Sequence, residues 1–360
     1  MIRATNKHRL CRGYPASLFD VHGVMREANK PQLSDALENA APTAVRGDAP
    51  QQIPDYYVLD GGSLLYRTPW KKDSNYEDIC DHYVNHVKQH YKNATVVFDG
   101  CARGCSTKDV THQRRTKGNV GLRGSFSPKM PLTMKKEHFL ANAQNKQSFI
   151  HLLMEKVDEN GIKTLSAEGD ADVLIAKSAV KCSTSACTHL IGEDTDLLVL
   201  LCFYCSDDTK GLVFRSERKY GEKEVKRRVW DIVCLREQLG KDLLCSVLPV
   251  IHGIGGCDTT STLFGIGKGA PIKKFQNHHE FRSHILKLAQ KGLEVYDIEK
   301  AGECALIFLC GGNKGESLDD LRARKFSEKV ANSARSVQVQ ALPPTSNAAS
   351  LVGGRKTGSH

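Results

Sequence analysis

Seven carboxylates of this chain stand where acids can act together. Asp60 closes the run Tyr57-Val-Leu-Asp60-Gly-Gly-Ser, and Asp99 closes Val96-Val-Phe-Asp99-Gly. Glu168 and Asp170 lie in Ser166-Ala-Glu168-Gly-Asp170-Ala-Asp172, and Asp194 and Asp196 in Ile191-Gly-Glu193-Asp194-Thr-Asp196. Asp258 follows an apolar run, in Gly255-Gly-Cys-Asp258-Thr-Thr. Taken singly, an Asp at a strand end is most simply a helix cap. Gathered together, these acids would repel one another, and the usual resolution is hard divalent ions held by oxygen ligands. Two such ions about 4 Å apart are apparatus for phosphodiester hydrolysis.

Residues two apart on a helix point about 200° apart, so Glu168 and Asp170 converge only if one lies in the turn before the helix. Asp172 shares a helical face with Glu168 and is the reserve. No Cys/His spacing competes for a metal: Cys202-x-x-Cys205 lies within an apolar run, where burial explains it. There is no Walker A sequence, and no spacing that supports a Ser/His/Asp arrangement.

The elements that must position these acids alternate. Tyr56–Leu59, Ala94–Phe98 and His189–Ile191 have β-type composition. Helical spacing marks Tyr76–Tyr91, a segment around Phe149–Val157 stopped near Gly161, and Ala171–Val180. Strands separated by helix-length segments predict a mainly parallel α/β sheet flanked by helices, whose ligands gather at the carboxyl ends of the strands. Asp60, Asp99 and Asp194 each stand at such an end.

Gly265-Ile-Gly267-Lys268-Gly269-Ala270-Pro271 reads as a tight glycine turn leading into a helix. Gly265, Gly267 and Gly269 let backbone N–H groups approach a phosphate, and Lys268, Lys273 and Lys274 add charge. The alternative is a plain interhelical turn. The chain carries 51 Lys and Arg against 41 Asp and Glu; between Cys101 and Ile150 ten basic residues face two acids. Such a block suits a polyanion, or is a solvated loop.

The longest apolar run, Leu197–Cys205, is nine residues. A membrane helix needs about 20, which argues against a membrane protein, and the first residues have no signal-peptide pattern. Thirteen cysteines, an odd number without a signal, read as reduced intracellular thiols. Residues 1–52, interrupted by Pro15, Pro31, Pro42 and Pro50, read as an irregular or partly ordered extension. Residues 53–335 read as one domain, and 336–360 as a disordered tail.

The acid order Asp60, Asp99, Glu168-x-Asp170, Asp194-x-Asp196, Asp258 resembles the flap endonuclease and XPG-type structure-specific nucleases, a branch of the PIN-like fold, over residues 54–285. It is similar too to a transposon-associated branch of PIN-like proteins in animal genomes. The resemblance implies a PIN-like (FEN-like) α/β domain with a helix-two-turn-helix module at about 245–285. Asp60, Asp99, Glu168 and Asp170 would serve one Mg²⁺ or Mn²⁺ ion; Asp194, Asp196 and Asp258 would serve a second. It also implies K⁺ in the glycine turn, and Lys108, Arg114 and Arg115 as a basic gateway touching the scissile phosphate.

The implied partner is nucleic acid, DNA before RNA, with no membrane, and the implied location is nuclear. The other reading is a PIN-like binding module that no longer cleaves. Two features depart from the family pattern: 59 residues precede Asp60, and Arg115–Ala141 is loop-like rather than a helical arch. Both bear on flap threading and end selection.

Overall fold

A computed structural model describes residues 15–46, 54–100, 124–216, 228–332 and 336–349. They form two compact units: 41–239, and a second made of the chain up to residue 40 together with the residues from 240 onward. Helix α1 (Pro31–Ala40) belongs to the second.

The central unit runs β1 (Val45–Arg46), β2 (Tyr56–Asp60), α2 (Gly61–Arg67), α3 (Tyr76–His90), β3 (Ala94–Phe98), α4 (Lys136–Ala141), α5 (Ala143–Glu159) and β4 (Lys163–Ser166). It continues with α6 (Asp172–Ser183), β5 (Thr188–Ile191), α7 (Thr195–Tyr204), β6 (Leu212–Arg215), β7 (Val229–Asp231) and α8 (Ile232–Leu239). The strands form one sheet in the order β1-β7-β6-β5-β2-β3-β4. From β6 to β4 every pairing is parallel, and β7 and β1 add an antiparallel edge. This is the mainly parallel α/β sheet that the alternating pattern predicts.

Burial explains which strands are legible. Every residue of β3 is buried, so it reads as a continuous apolar run, as central parallel strands do. Strand β4, at the sheet edge, is half exposed and polar (Lys-Thr-Leu-Ser), and carries almost no β signal. Helix α3 begins with a capping box: Asn75 Oδ1 accepts from the Asp78 N–H at 2.8 Å, and Asp78 Oδ2 from the Asn75 N–H at 3.1 Å. The apolar run at Leu197–Cys205 is mostly α7, with Leu197, Leu198, Val199, Leu201 and Cys202 buried. No helix among the described residues is long and apolar enough to cross a membrane. Residues expected to be loop-like before Ala141 end in α4.

One core residue is out of place chemically. His189 in β5 is fully buried, edge-on to Tyr57 at 5.9 Å, and neither ring nitrogen has a hydrogen-bond partner among the described residues. Burial, with Arg215 nearby, pulls its pKa from 6.5 down to about 4. Between those values the unfolded chain binds the extra proton, so this group stabilises the fold above pH 6.5 and that contribution is lost as pH falls toward 4. We expect His189→Leu to be about 2 kcal/mol less sensitive to acidification from pH 7 to 5 than the parent, measured by urea denaturation. Identical slopes would show that His189 is not buried neutral.

The second unit adds α9 (Cys245–Ile254), α10 (Gly269–Asn277), α11 (His279–Leu288), α12 (Val295–Leu309) and α13 (Leu318–Asn332). Within the extension, Pro31 opens α1 rather than interrupting it, as suits the first helical position, and Leu33 and Leu37 are buried one turn apart. In the expected tail, Leu342, Ala348 and Ala349 are buried, and the Arg322 guanidinium donates to the Pro343 carbonyl. Ala349 joins Ile307, Leu318 and Leu321 in a small apolar cluster.

Candidate metal centre

Three of the predicted acids stand at or just beyond the carboxyl ends of adjacent strands. Strands β2 and β5 are neighbours, and the chain runs on from β2 to β3 on one side and from β5 to β6 on the other, which is where an open parallel sheet leaves a crevice. Asp60 is the last residue of β2 and lies level with Val97 of β3, two residues before Asp99. On the other side Leu59 pairs with Ile191, three residues before Asp194.

The capping role and the site role coincide here. Asp60 Oδ1 accepts from the Ser63 N–H at 3.1 Å, and Asp194 Oδ1 from the Asp196 N–H at 3.0 Å, starting α2 and α7. Burial pushes the Asp60 carboxyl up from 3.8 to about 6; the charges of Asp99 and Asp194 add to the rise, while the Ser63 and Gly62 N–H groups oppose it. A Cβ on Gly62 would stand 3.2 Å from Asp60 Oδ1 and 3.7 Å from Asp99 Oδ2, so the missing side chain leaves open the space between the two carboxylates. The cradle and its oxygen-only donors fit a hard divalent cation.

Glu168 and Asp170 lie on the loop before α6, so the helical divergence does not arise. The loop is bound directly to the end of β3: Ala167 N–H donates to Phe98 O at 3.1 Å, and Gly100 N–H to Gly169 O at 2.9 Å. Ala171 N–H donates to Asp99 Oδ1 at 3.1 Å. Both acidic side chains are exposed, and Asp170 Oδ1 accepts from the N–H of Asp172, the first residue of α6. Asp196 is half-buried in the first turn of α7. Glu193 takes a different partner, accepting from Ser216 Oγ at 2.6 Å.

Two residues here carry no sequence signal. Lys146, in the first turn of α5, sets its Nζ 3.8 Å from Asp99 Oδ2 and 5.9 Å from the centre of the Tyr66 ring. Tyr66, half exposed at the end of α2, has its phenol pKa raised by burial and by the Asp99 charge. Neither is adjacent to an acid in sequence; α5 and α2 bring them there. Lys108, Arg114 and Arg115 lie outside the described residues.

The other predicted residues belong to the second unit. Asp258 follows α9, and its Oδ2 accepts from Lys30 Nζ at 3.2 Å. In the glycine turn, Gly265 has φ +76° and open space around it. A Cβ on Gly267 would come within 2.8 Å of Gln32 Oε1, and one on Gly269 within 3.0 Å of Ala36 Cβ, so α1 packs closely on the turn. Lys268 corrects the expectation of added surface charge: it is buried, and its Nζ lies 2.8 Å from His252 Nδ1. Lys273 is exposed and Lys274 half-buried, both on α10.

Solved structures similar to this chain include the catalytic core of Rad2 in complex with DNA substrate (13% identity, TM-score 0.43, covering 84% of this chain and 81% of that one). T5 5'-exonuclease with bound divalent zinc ions is similar at 16% identity and TM-score 0.41, covering 78% and 99%. Human GEN1 in complex with Holliday junction DNA is similar at 14% identity and TM-score 0.37, covering 85% and 74%. No protein-family model matches the chain.

Proposed function

We propose that this protein is a divalent-metal-dependent, structure-specific nuclease acting on DNA, with RNA as the second substrate class, in the nucleus. The observation that carries this reading is the desolvated Asp60 carboxyl, raised to about 6 by burial and by the charges of Asp99 and Asp194, at the carboxyl edge of three adjacent parallel strands. Crowding carboxylates this way is costly without a cation and favourable with one. Asp60, Asp99, Glu168 and Asp170 would hold one Mg²⁺ or Mn²⁺ ion; Asp194 and Asp196 would hold the second, with Asp258 included on its place in the sequence order alone. When bound, such ions supply stabilisation of the charge that develops as a phosphodiester is hydrolysed. Lys146 sets an ammonium beside Asp99, where it can attract and orient a phosphate.

The second unit would grip the duplex backbone as a helix-two-turn-helix: α9, the Gly265–Gly269 turn with K⁺, and α10 carrying Lys273 and Lys274. Lys108, Arg114 and Arg115 remain candidates for the gateway.

The ammonium groups beside Asp99 and Asp258 favour a second reading, a binding module whose acids are neutralised from within. The test is cleavage of flap, bubble and single-stranded DNA with Mg²⁺ or Mn²⁺ against EDTA. Cleavage that requires the cation is expected. Tight binding without cleavage in either metal overturns the nuclease reading and leaves the binding module.

A further inference from the structure

We propose that Lys30 is a built-in counter-cation that competes with divalent metal for the carboxylate of Asp258, so that a metal ion binds there only by displacing its ammonium. This rests on the reading of Asp258 as a metal ligand.

The ammonium and carboxylate are 3.2 Å apart, with their side chains 22% and 17% exposed, so solvent screens the pair only in part. Lys30 is held to this position from both sides. Upstream, Arg26 N–H donates to Ser261 Oγ at 3.1 Å, and Thr262 N–H returns a bond to Arg26 O at 3.1 Å. Downstream, Leu33 N–H donates to Lys30 O as α1 begins, and Gln32 Oε1 accepts from the Lys268 N–H at 3.3 Å.

The carboxylate is positioned as firmly. Asp258 sits in a turn closed by exchange between Cys257 and Thr260 (N–H to O, 3.0 and 3.2 Å), and Thr260 Oγ1 anchors it to Gly253 O at 2.7 Å. The segment before α1 is thus bonded to the stretch that carries Asp258, and Lys30 reaches its partner from a fixed backbone. An oxygen engaged by an ammonium is a poorer ligand, and a positive charge beside it repels a dication directly.

The test is Mn²⁺ binding to the full-length protein, without nucleic acid, by titration calorimetry or electron paramagnetic resonance. Lys30→Met is expected to tighten one Mn²⁺ site about tenfold. Lys30→Arg, which keeps the charge, should bind Mn²⁺ as the parent does. Lys30→Met combined with Asp258→Asn should lose the gain.

Unchanged affinity in Lys30→Met, or a gain that survives Asp258→Asn, overturns the proposal. Lys30→Gln serves as the second variant should Lys30→Met fail to melt cooperatively. Asp60→Asn and Asp194→Asn separate this from the metal-centre reading. If they weaken Mn²⁺ binding while Lys30→Met has no effect, only the assignment of Lys30 falls. If no variant and no parent binds Mn²⁺, both fall.

Discussion

Asp60→Asn is expected to stabilise the cation-free protein at neutral pH and to abolish metal-dependent cleavage. The folded-state pKa of Asp60 is raised from 3.8 to about 6. Between those values the folded protein holds a proton that the unfolded chain releases, so stability falls as pH rises from about 4 through 6. Above pH 6 the full cost, up to roughly 3 kcal/mol, is present; below pH 3.8 it is absent. An amide keeps the oxygen that accepts from Ser63 and removes the charge, so the variant should gain stability over the parent as pH rises through this window.

His189 acts in nearly the same window with the opposite sign, since its pKa falls to about 4. The two contributions oppose each other in the parent, and each single variant exposes the slope of the other. Urea denaturation with EDTA at pH 4, 5, 6 and 7 reads this directly. Added Mn²⁺ should raise the thermal midpoint of the parent far more than that of Asp60→Asn. A variant destabilised equally at pH 4 and 7 would show that Asp60 acts only as a cap.

Gly100→Ala should be the most disruptive single-methyl change in the central unit. A Cβ there would stand 1.9 Å from the Ala167 carbonyl oxygen and 2.9 Å from the carbonyl carbons of Ala167 and Glu168. All three are backbone atoms, so no rotamer relieves the contact; the Ala167–Gly169 loop must move off the end of β3. That breaks the Gly100–Gly169 hydrogen bond and withdraws Glu168 and Asp170 from Asp99. We expect a loss of about 3 kcal/mol or more, with cleavage falling further than stability explains. Parental stability together with parental cleavage would show that Glu168 and Asp170 need no fixed relation to Asp99.

The sequence by itself determined the strand ends and the acids on them. Tyr56–Asp60, Ala94–Phe98 and Thr188–Ile191 are apolar or β-branched runs that stop at, or within three residues of, Asp60, Asp99 and Asp194. A strand end and the cap that follows it are local events, written in adjacent residues. Edge strands such as Lys163–Ser166 were illegible because half-exposed positions need no apolar pattern.

Tertiary structure alone decided which cations face these acids. Lys30 and Asp258 are 228 residues apart, and Lys146 reaches Asp99 only because α5 packs beside β4. Lys268 looked like surface charge for the same reason: nothing near it in sequence says that His252 will receive its ammonium. Periodicity reports which face of an element is buried, not which distant element covers it. Charge pairing in a folded chain is fixed by that second fact.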